Sequence, residues 1–249
     1  MARGARRLAA SGYYHVVMRG SGKQLIFEDD ADRVKFLGYL DEMLRRHEAV
    51  LIGWCLMSNH VHLLVSDPTG SLSSAIHDIA AAYAGYFNRK TGHVGAVFDG
   101  RFKSVPIESD AQLVSAVRYI HNNPVRGGIC AACDYRWSSY HEYAGNPSLT
   151  DVSVLADMLG GLQGLLSNDE GDACVPYCFV TGKRIPDDEA LDVAGAILYP
   201  LLPDDVKGLP VEQRAEAVGR LTEGGLSCRQ IQRLTGLGRY SIDRALGRR

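Results

Sequence analysis

Along Trp54–Asp67 the chain reads W-C-L-M-S-N-H-V-H-L-L-V-S-D. Val61, Leu63 and Val65 alternate with His60, His62 and Leu64, and that period of two predicts a strand over 60–66. Ala49–Met57 is a second strand-like run, and Ser58-Asn59 is short enough to join the two as a hairpin. Upstream, Tyr13–Arg19 is rich in β-formers and ends at the turn Gly20-Ser21-Gly22. Between them, Val34, Phe36, Leu37, Leu40, Met43 and Leu44 recur at helical spacing within Asp29–His47. Acidic residues open that helix, and Arg45 and Arg46 close it, which suits the helix dipole. A second helix is predicted over Leu72–Asn88, with Ile76, Ile79, Ala80, Tyr83 and Phe87 on one stripe. Phe98–Ile107 reads as a further strand. The order β-α-β-β-α-β is that of a ferredoxin-like α+β palm.

Ser109 then caps a third helix, Asp110–Asn122, with a stop expected at Pro124. An aromatic cluster, Tyr135–Tyr140, precedes Gly145-Asn146-Pro147, where the first domain is expected to end. Short apolar segments broken by Gly, Pro and Asp fill 148–206, which reads as partly helical. Leu209–Leu246 then reads as three short helices. Ser227 caps the second of these, Gly236 sits in the turn, and Ile231, Leu234, Ile242 and Leu246 face inward. Arg239, Tyr240, Asp243 and Arg244 face outward on the last helix. Helix, glycine turn and helix at this spacing predict a C-terminal all-α helix-turn-helix module. The expected organisation is a first domain over 11–147, an acidic connector over 148–206 and a DNA-binding module over 207–249.

Composition is that of an ordinary globular chain, 46% hydrophobic and 22% charged over 249 residues. No apolar run approaches the roughly 18 residues that a membrane-spanning helix needs. The basic N-terminus, M-A-R-G-A-R-R, has no apolar stretch long enough for a signal peptide, so a cytoplasmic protein is expected. A net charge of −2 does not by itself announce nucleic acid. The charge is uneven, however. Acidic residues crowd the connector, while Arg229, Arg233, Arg239, Arg244, Arg248 and Arg249 make the tail basic and a candidate duplex DNA surface. Cys130-A-A-Cys133 and Cys174-V-P-Y-Cys178 have zinc-ligand spacing, but reduced thiols are the expectation in a cytosolic chain.

The pattern places candidate chemistry in two stretches. His60 and His62 lie two apart on one strand and so share a face, which suits a divalent metal. Tyr119 and Asn123 lie four apart on the third helix and share one helical face, a hydroxyl beside an amide oxygen.

Taken together, M-S-N-H-V-H-L-L-V, G-R-F-K, R-Y-I-H-N-N-P-V-R and W-S-S-Y, in this order and spacing, resemble the single-tyrosine HUH transposases, in particular the REP-associated tyrosine transposases. The resemblance covers residues 11–146. It implies a ferredoxin-like palm in which His60 and His62 bind Mg²⁺ or Mn²⁺, Asn123 completes the metal shell and Tyr119 is the nucleophile. It also implies cleavage and rejoining of single-stranded DNA beside an imperfect hairpin, through a covalent 5′-phosphotyrosine. Arg101, Lys103, Arg118 and Arg126 are candidate phosphate contacts, with Arg239 and Arg244 as candidates on the tail. A second class stays open: a DNA-binding regulator that relies on the helix-turn-helix and cleaves little or nothing.

Overall fold

The computed structural model describes residues 8–159, 177, 185, 187, 190–198 and 201–247. Cys174 and Cys178 lie outside these. The chain divides into two compact units, 1–173 and 174–249.

In the first unit, β1 (Tyr13–Arg19), β2 (Val50–Met57), β3 (His60–Ser66) and β4 (Lys103–Ile107) form one antiparallel sheet in the order β2-β3-β1-β4. Helices α1 (Asp30–Arg46) and α2 (Leu72–Thr91) complete the β-α-β-β-α-β order. Both pack on one face of the sheet. Alternation puts Val16 and Met18 of β1 and Val61, Leu63 and Val65 of β3 on that face, in one core with Phe36 and Leu40 of α1 and Ile76, Ile79 and Tyr83 of α2. Each such side chain, fully buried, contributes about 1.5–3 kcal/mol. Asp29 and Asp32 form a reciprocal capping box at the start of α1, as its acidic opening suggested.

Two element boundaries differ from the sequence expectation. Phe98 makes only an isolated bridge to Gly20, and the turn through Gly100 (φ 65°) delays β4 until Lys103. Helix α2 runs on to Thr91, because the first residue suited to end it is Gly92, which adopts φ 69°.

The opposite sheet face is covered by α3 (Asp110–His121), which packs on β2 and β3. Its buried stripe is Leu113, Ala116, Val117 and Ile120, at three- and four-residue spacing. Ser109 accepts a hydrogen bond from the Gln112 N–H and caps it. Pro124 does not end the helical path. The break falls at Asn122 (φ −85°, ψ 3°), and a single further turn, α4 (Asn123–Arg126), carries Pro124 in its first positions. Proline is tolerated there because its missing N–H has no helical partner to lose.

The W-S-S-Y stretch closes the outer edge of β2. The Leu56 N–H donates to the Trp137 carbonyl, and the Ser139 N–H to the Trp54 carbonyl, each at 2.9 Å. An edge covered in this way offers no template for foreign strands. Helix α5 (Tyr140–Tyr143) follows, and its buried Glu142 accepts from the Trp54 indole N–H (2.8 Å) and from the N–H groups of Leu149 (2.9 Å) and Thr150 (2.6 Å). Packing continues past residue 147. The Asp151 N–H donates to the Leu51 carbonyl at 2.8 Å, and α6 (Ser153–Leu159) buries Leu155.

The second unit contains α7 (Ala190–Leu198), a 3-10 turn (Pro203–Gly208), α8 (Val211–Glu223), α9 (Cys228–Thr235) and α10 (Arg239–Ala245). Its core joins Val218, Leu221, Ile231 and Ile242 of the last three helices to Ile185, Val193, Leu198 and Val206. The three helices therefore share one core with residues before 207. Ser227 and Gln230 form a capping box on α9, and Gly236 at φ 66° ends it. Arg239, Tyr240 and Arg244 are exposed on α10, with Arg239 bonded to Asp243 at 3.2 Å.

Candidate active site

Strand alternation sets the first part of the site. Because Val61, Leu63 and Val65 face α1 and α2, His60 and His62 face the α3 side, with ring centroids 5.0 Å apart. Helix α3 turns Tyr119 toward them, and its ring lies 6.0 Å from that of His62. One turn later Asn123 is buried. Its side-chain N–H donates to the carbonyls of Tyr119 (3.0 Å) and Ile120 (3.3 Å). The break at Asn122 then brings the Arg126 guanidinium over the Tyr119 ring, 4.4 Å from its centroid.

A residue the sequence reading did not single out completes this group. His15 on β1 is wholly buried, and its Nε2 lies 2.9 Å from Nδ1 of His62. Its ring is also 5.7 Å from that of Tyr119. Register explains the meeting: Val17 pairs with His62 and His15 with Leu64, so the two histidines are diagonal neighbours on one face.

Nδ1 of both strand histidines is engaged. Nδ1 of His60 lies 2.7 Å from Asn59 Oδ1, while the Asn59 amide N–H donates to the Lys23 carbonyl at 3.4 Å. That second bond fixes which end of the amide faces His60, so His60 carries its proton on Nδ1. Burial, and then the charge of Arg19, push the His60 pKa down to about 4. His62 is held well below the usual histidine range by burial, then by His15, His60, Arg19 and Arg126. Burial takes His15 to about 3. All three imidazoles are neutral near pH 7, the form in which histidine ligates a metal.

By donor chemistry, the imidazoles of His60 and His62 with the Asn123 carboxamide oxygen would suit a divalent cation. Among the described residues, no cluster of three or more His, Cys, Asp or Glu has a geometry that holds a metal. A metal here therefore depends on the neutral amide as its third protein donor.

His121 anchors the helix that carries Tyr119. It is buried, and its Nε2 lies 2.9 Å from the Ser139 hydroxyl, which also accepts from the Trp54 N–H at 2.9 Å. The W-S-S-Y stretch thus ties the end of α3 to β2. Of the candidate DNA contacts, Arg126 joins the site directly and Lys103 is exposed on β4 opposite Val17. Arg118 is half-buried on α3. Arg101 is exposed on the loop before β4, beside a cavity of about 590 Å³ between that loop and α2. Arg239 and Arg244 belong to the second unit. Cys55, Cys130 and Cys133 are free thiols.

Residues 9–123 match the family described as transposase IS200 like. This segment is similar to the IS200-like transposases. It spans the whole palm and ends on Asn123. Among solved structures, a REP-associated tyrosine transposase bound to a REP hairpin is 18% identical over 75% of this chain and 99% of its own, with a TM-score of 0.53. At that identity the likeness establishes the fold. A putative transposase from Deinococcus radiodurans is 16% identical over 49% of this chain and 97% of its own, with a TM-score of 0.35, too slight a likeness to bear on the fold. No curated protein matches the chain. No helix among the described residues is long and apolar enough to cross a membrane.

Proposed function

We propose that this chain nicks single-stranded DNA and transfers the strand through a covalent 5′-phosphotyrosine on Tyr119, acting in the cytoplasm on hairpin-containing repeat DNA. The observation that carries this reading is the meeting of Tyr119 with His60 and His62 on one sheet face, inside a segment that matches a transposase family. A solved structure of the same fold is described as bound to a REP hairpin, which supports hairpin DNA as the substrate.

His60, His62 and Asn123 would hold the cation. A bound Mg²⁺ or Mn²⁺ supplies Lewis-acid polarisation of the scissile phosphate. Tyr119 Oη attacks the phosphorus, forming an O–P bond as the P–O3′ bond breaks. The phenolic proton ends on the released 3′-oxygen. Because the phosphotyrosine conserves the phosphodiester, a second 3′-hydroxyl reverses the step without ATP. That outcome is strand transfer rather than hydrolysis. Arg126 holds positive charge against the Tyr119 ring, where the phosphate's negative charge arrives. Arg101, Lys103 and Arg118 serve as phosphate contacts along the strand. In the second unit, α9 and α10 act as a helix-turn-helix that presents Arg239 and Arg244 to duplex DNA.

The test is incubation of the full chain with end-labelled hairpin DNA and Mg²⁺, read on a denaturing gel. The expected result is a protein-linked band together with a shorter strand ending in a 3′-hydroxyl. Nicking without a linked band would point to hydrolysis. Binding with neither product would favour the regulator.

A further inference from the structure

We propose that His15 is a positioning residue: its Nε2 accepts the Nδ1 proton of His62 and so presents the lone pair on His62 Nε2 outward for a metal. This rests on the metal reading above but concerns a residue outside the ligand set.

Two imidazole nitrogens 2.9 Å apart share one proton. Either His62 donates from Nδ1 to His15, or His15 donates from Nε2 to His62. In the first state His62 Nε2 is a bare lone pair. In the second it carries the remaining proton and cannot ligate. The two states are not equivalent for chemistry, so the partner that selects between them governs whether His62 is a ligand. His60 shows the same arrangement, with Asn59 as the acceptor. Both histidines thus have Nδ1 held by a residue of the fold, and on the metal reading Nε2 is the ligating atom in each.

The place of His15 excludes simpler roles. It is wholly buried, so it does not touch DNA in solution. Its neighbours on the sheet face are His62 and the edge of Tyr119. Water has little access to this position, so nothing from solvent replaces its acceptor when it is removed. An apolar aromatic side chain here fills the space and withdraws the acceptor from His62.

The direct measurement is the tautomer of His62 in the wild-type full chain, read by long-range nitrogen–proton NMR on ¹⁵N-histidine-labelled protein. The expected result is His62 protonated on Nδ1 and bare on Nε2, before and after Mg²⁺ is added. His62 protonated on Nε2 would overturn the proposal. The second measurement is Mn²⁺ affinity by electron paramagnetic resonance. Loss of an outer partner of this kind costs roughly 10- to 100-fold in metal affinity, so His15→Phe should weaken Mn²⁺ by that much. His15→Gln, which can present an oxygen acceptor, should recover part of the loss. Affinity of a folded His15→Phe chain within about twofold of wild type would contradict the proposal. A wild-type chain that binds no Mn²⁺ yet holds His62 as the Nδ1–H form would count against the metal reading while supporting the tautomer assignment.

Discussion

The Asn123 side-chain N–H donates to the carbonyl of Tyr119 at 3.0 Å, tying the two residues across the helix break at Asn122. Because a second bond runs from the same amide nitrogen to Ile120, the nitrogen end faces the helix and Oδ1 is the end turned away. Asn123→Leu keeps the approximate volume and removes both functions. It should cost about 1–3 kcal/mol in denaturant unfolding, since two buried carbonyls lose a donor. It should also remove nicking, while hairpin binding stays near wild type. Wild-type nicking by this variant would exclude Asn123 from the metal shell.

His60→Ala and His62→Ala should each abolish cleavage and spare most DNA binding, because binding rests on phosphate contacts and base stacking. A gel-shift titration beside the cleavage assay separates the two effects. Full cleavage by either variant at ordinary Mg²⁺ would remove the metal assignment.

On α10, Arg239 and Arg244 are exposed. If both meet phosphates, the double variant Arg239→Ala/Arg244→Ala should bind duplex-flanked DNA more weakly. The slope of log affinity against log salt should fall by about 2. Adduct formation on a short single strand should be unchanged. An unaltered salt slope would exclude a DNA role for this helix.

Glu142 is buried, and its carboxylate gathers N–H donors from Trp54, Leu149 and Thr150. Glu142→Gln replaces one acceptor oxygen with a donor that faces other donors. The expected cost is about 1–3 kcal/mol in urea unfolding. Adduct chemistry should persist under conditions where the variant is folded. An unchanged unfolding midpoint would mean that this network adds little to stability.

The sequence made the palm legible because each of its elements carries its own period. His60–Ser66 alternates strictly, α1 and α2 bear helical stripes, and Ser109 and Ser227 are local caps visible without tertiary knowledge. The pair His60 and His62 was legible for the same reason: spacing within one element decides which side chains share a face. Tyr119 and Asn123 were paired by helical spacing as well, and although α3 breaks at Asn122 and Asn123 opens α4, the Asn123 amide still reaches the Tyr119 carbonyl. His15 was not, because its meeting with His62 depends on the register between β1 and β3, and no local pattern encodes it. The contribution of Asn59 to His60 and of Ser139 to His121 escaped for a similar reason, since each depends on how separate segments fold together. The late start of β4 came from the turn at Gly100, which interrupts an otherwise strand-like run. Pro124 misled because proline is equally at home in the first turn of a new helix and just past the end of an old one.

Competing tyrosines are otherwise engaged. Tyr83 is wholly buried, its hydroxyl donates to the Ile26 carbonyl, and burial pushes its pKa upward. The Tyr143 hydroxyl donates to the Ile52 carbonyl at 2.6 Å, and burial raises its pKa as well. Tyr86 donates to Asp32 at 3.0 Å, far along α2 on the other sheet face. Tyr140 packs its ring against His121.

The most direct measurement is therefore peptide mapping of the covalent adduct formed by the wild-type chain on hairpin DNA, paired with Tyr119→Phe. The variant keeps the ring under Arg126 and beside His62 and His15 but lacks the attacking oxygen. Losing a sole nucleophile removes the covalent step rather than slowing it. The account predicts that the DNA maps to the peptide containing Tyr119, and that Tyr119→Phe forms no adduct while binding hairpin DNA near wild type. An adduct on any other tyrosine, or one that persists in Tyr119→Phe, would contradict it.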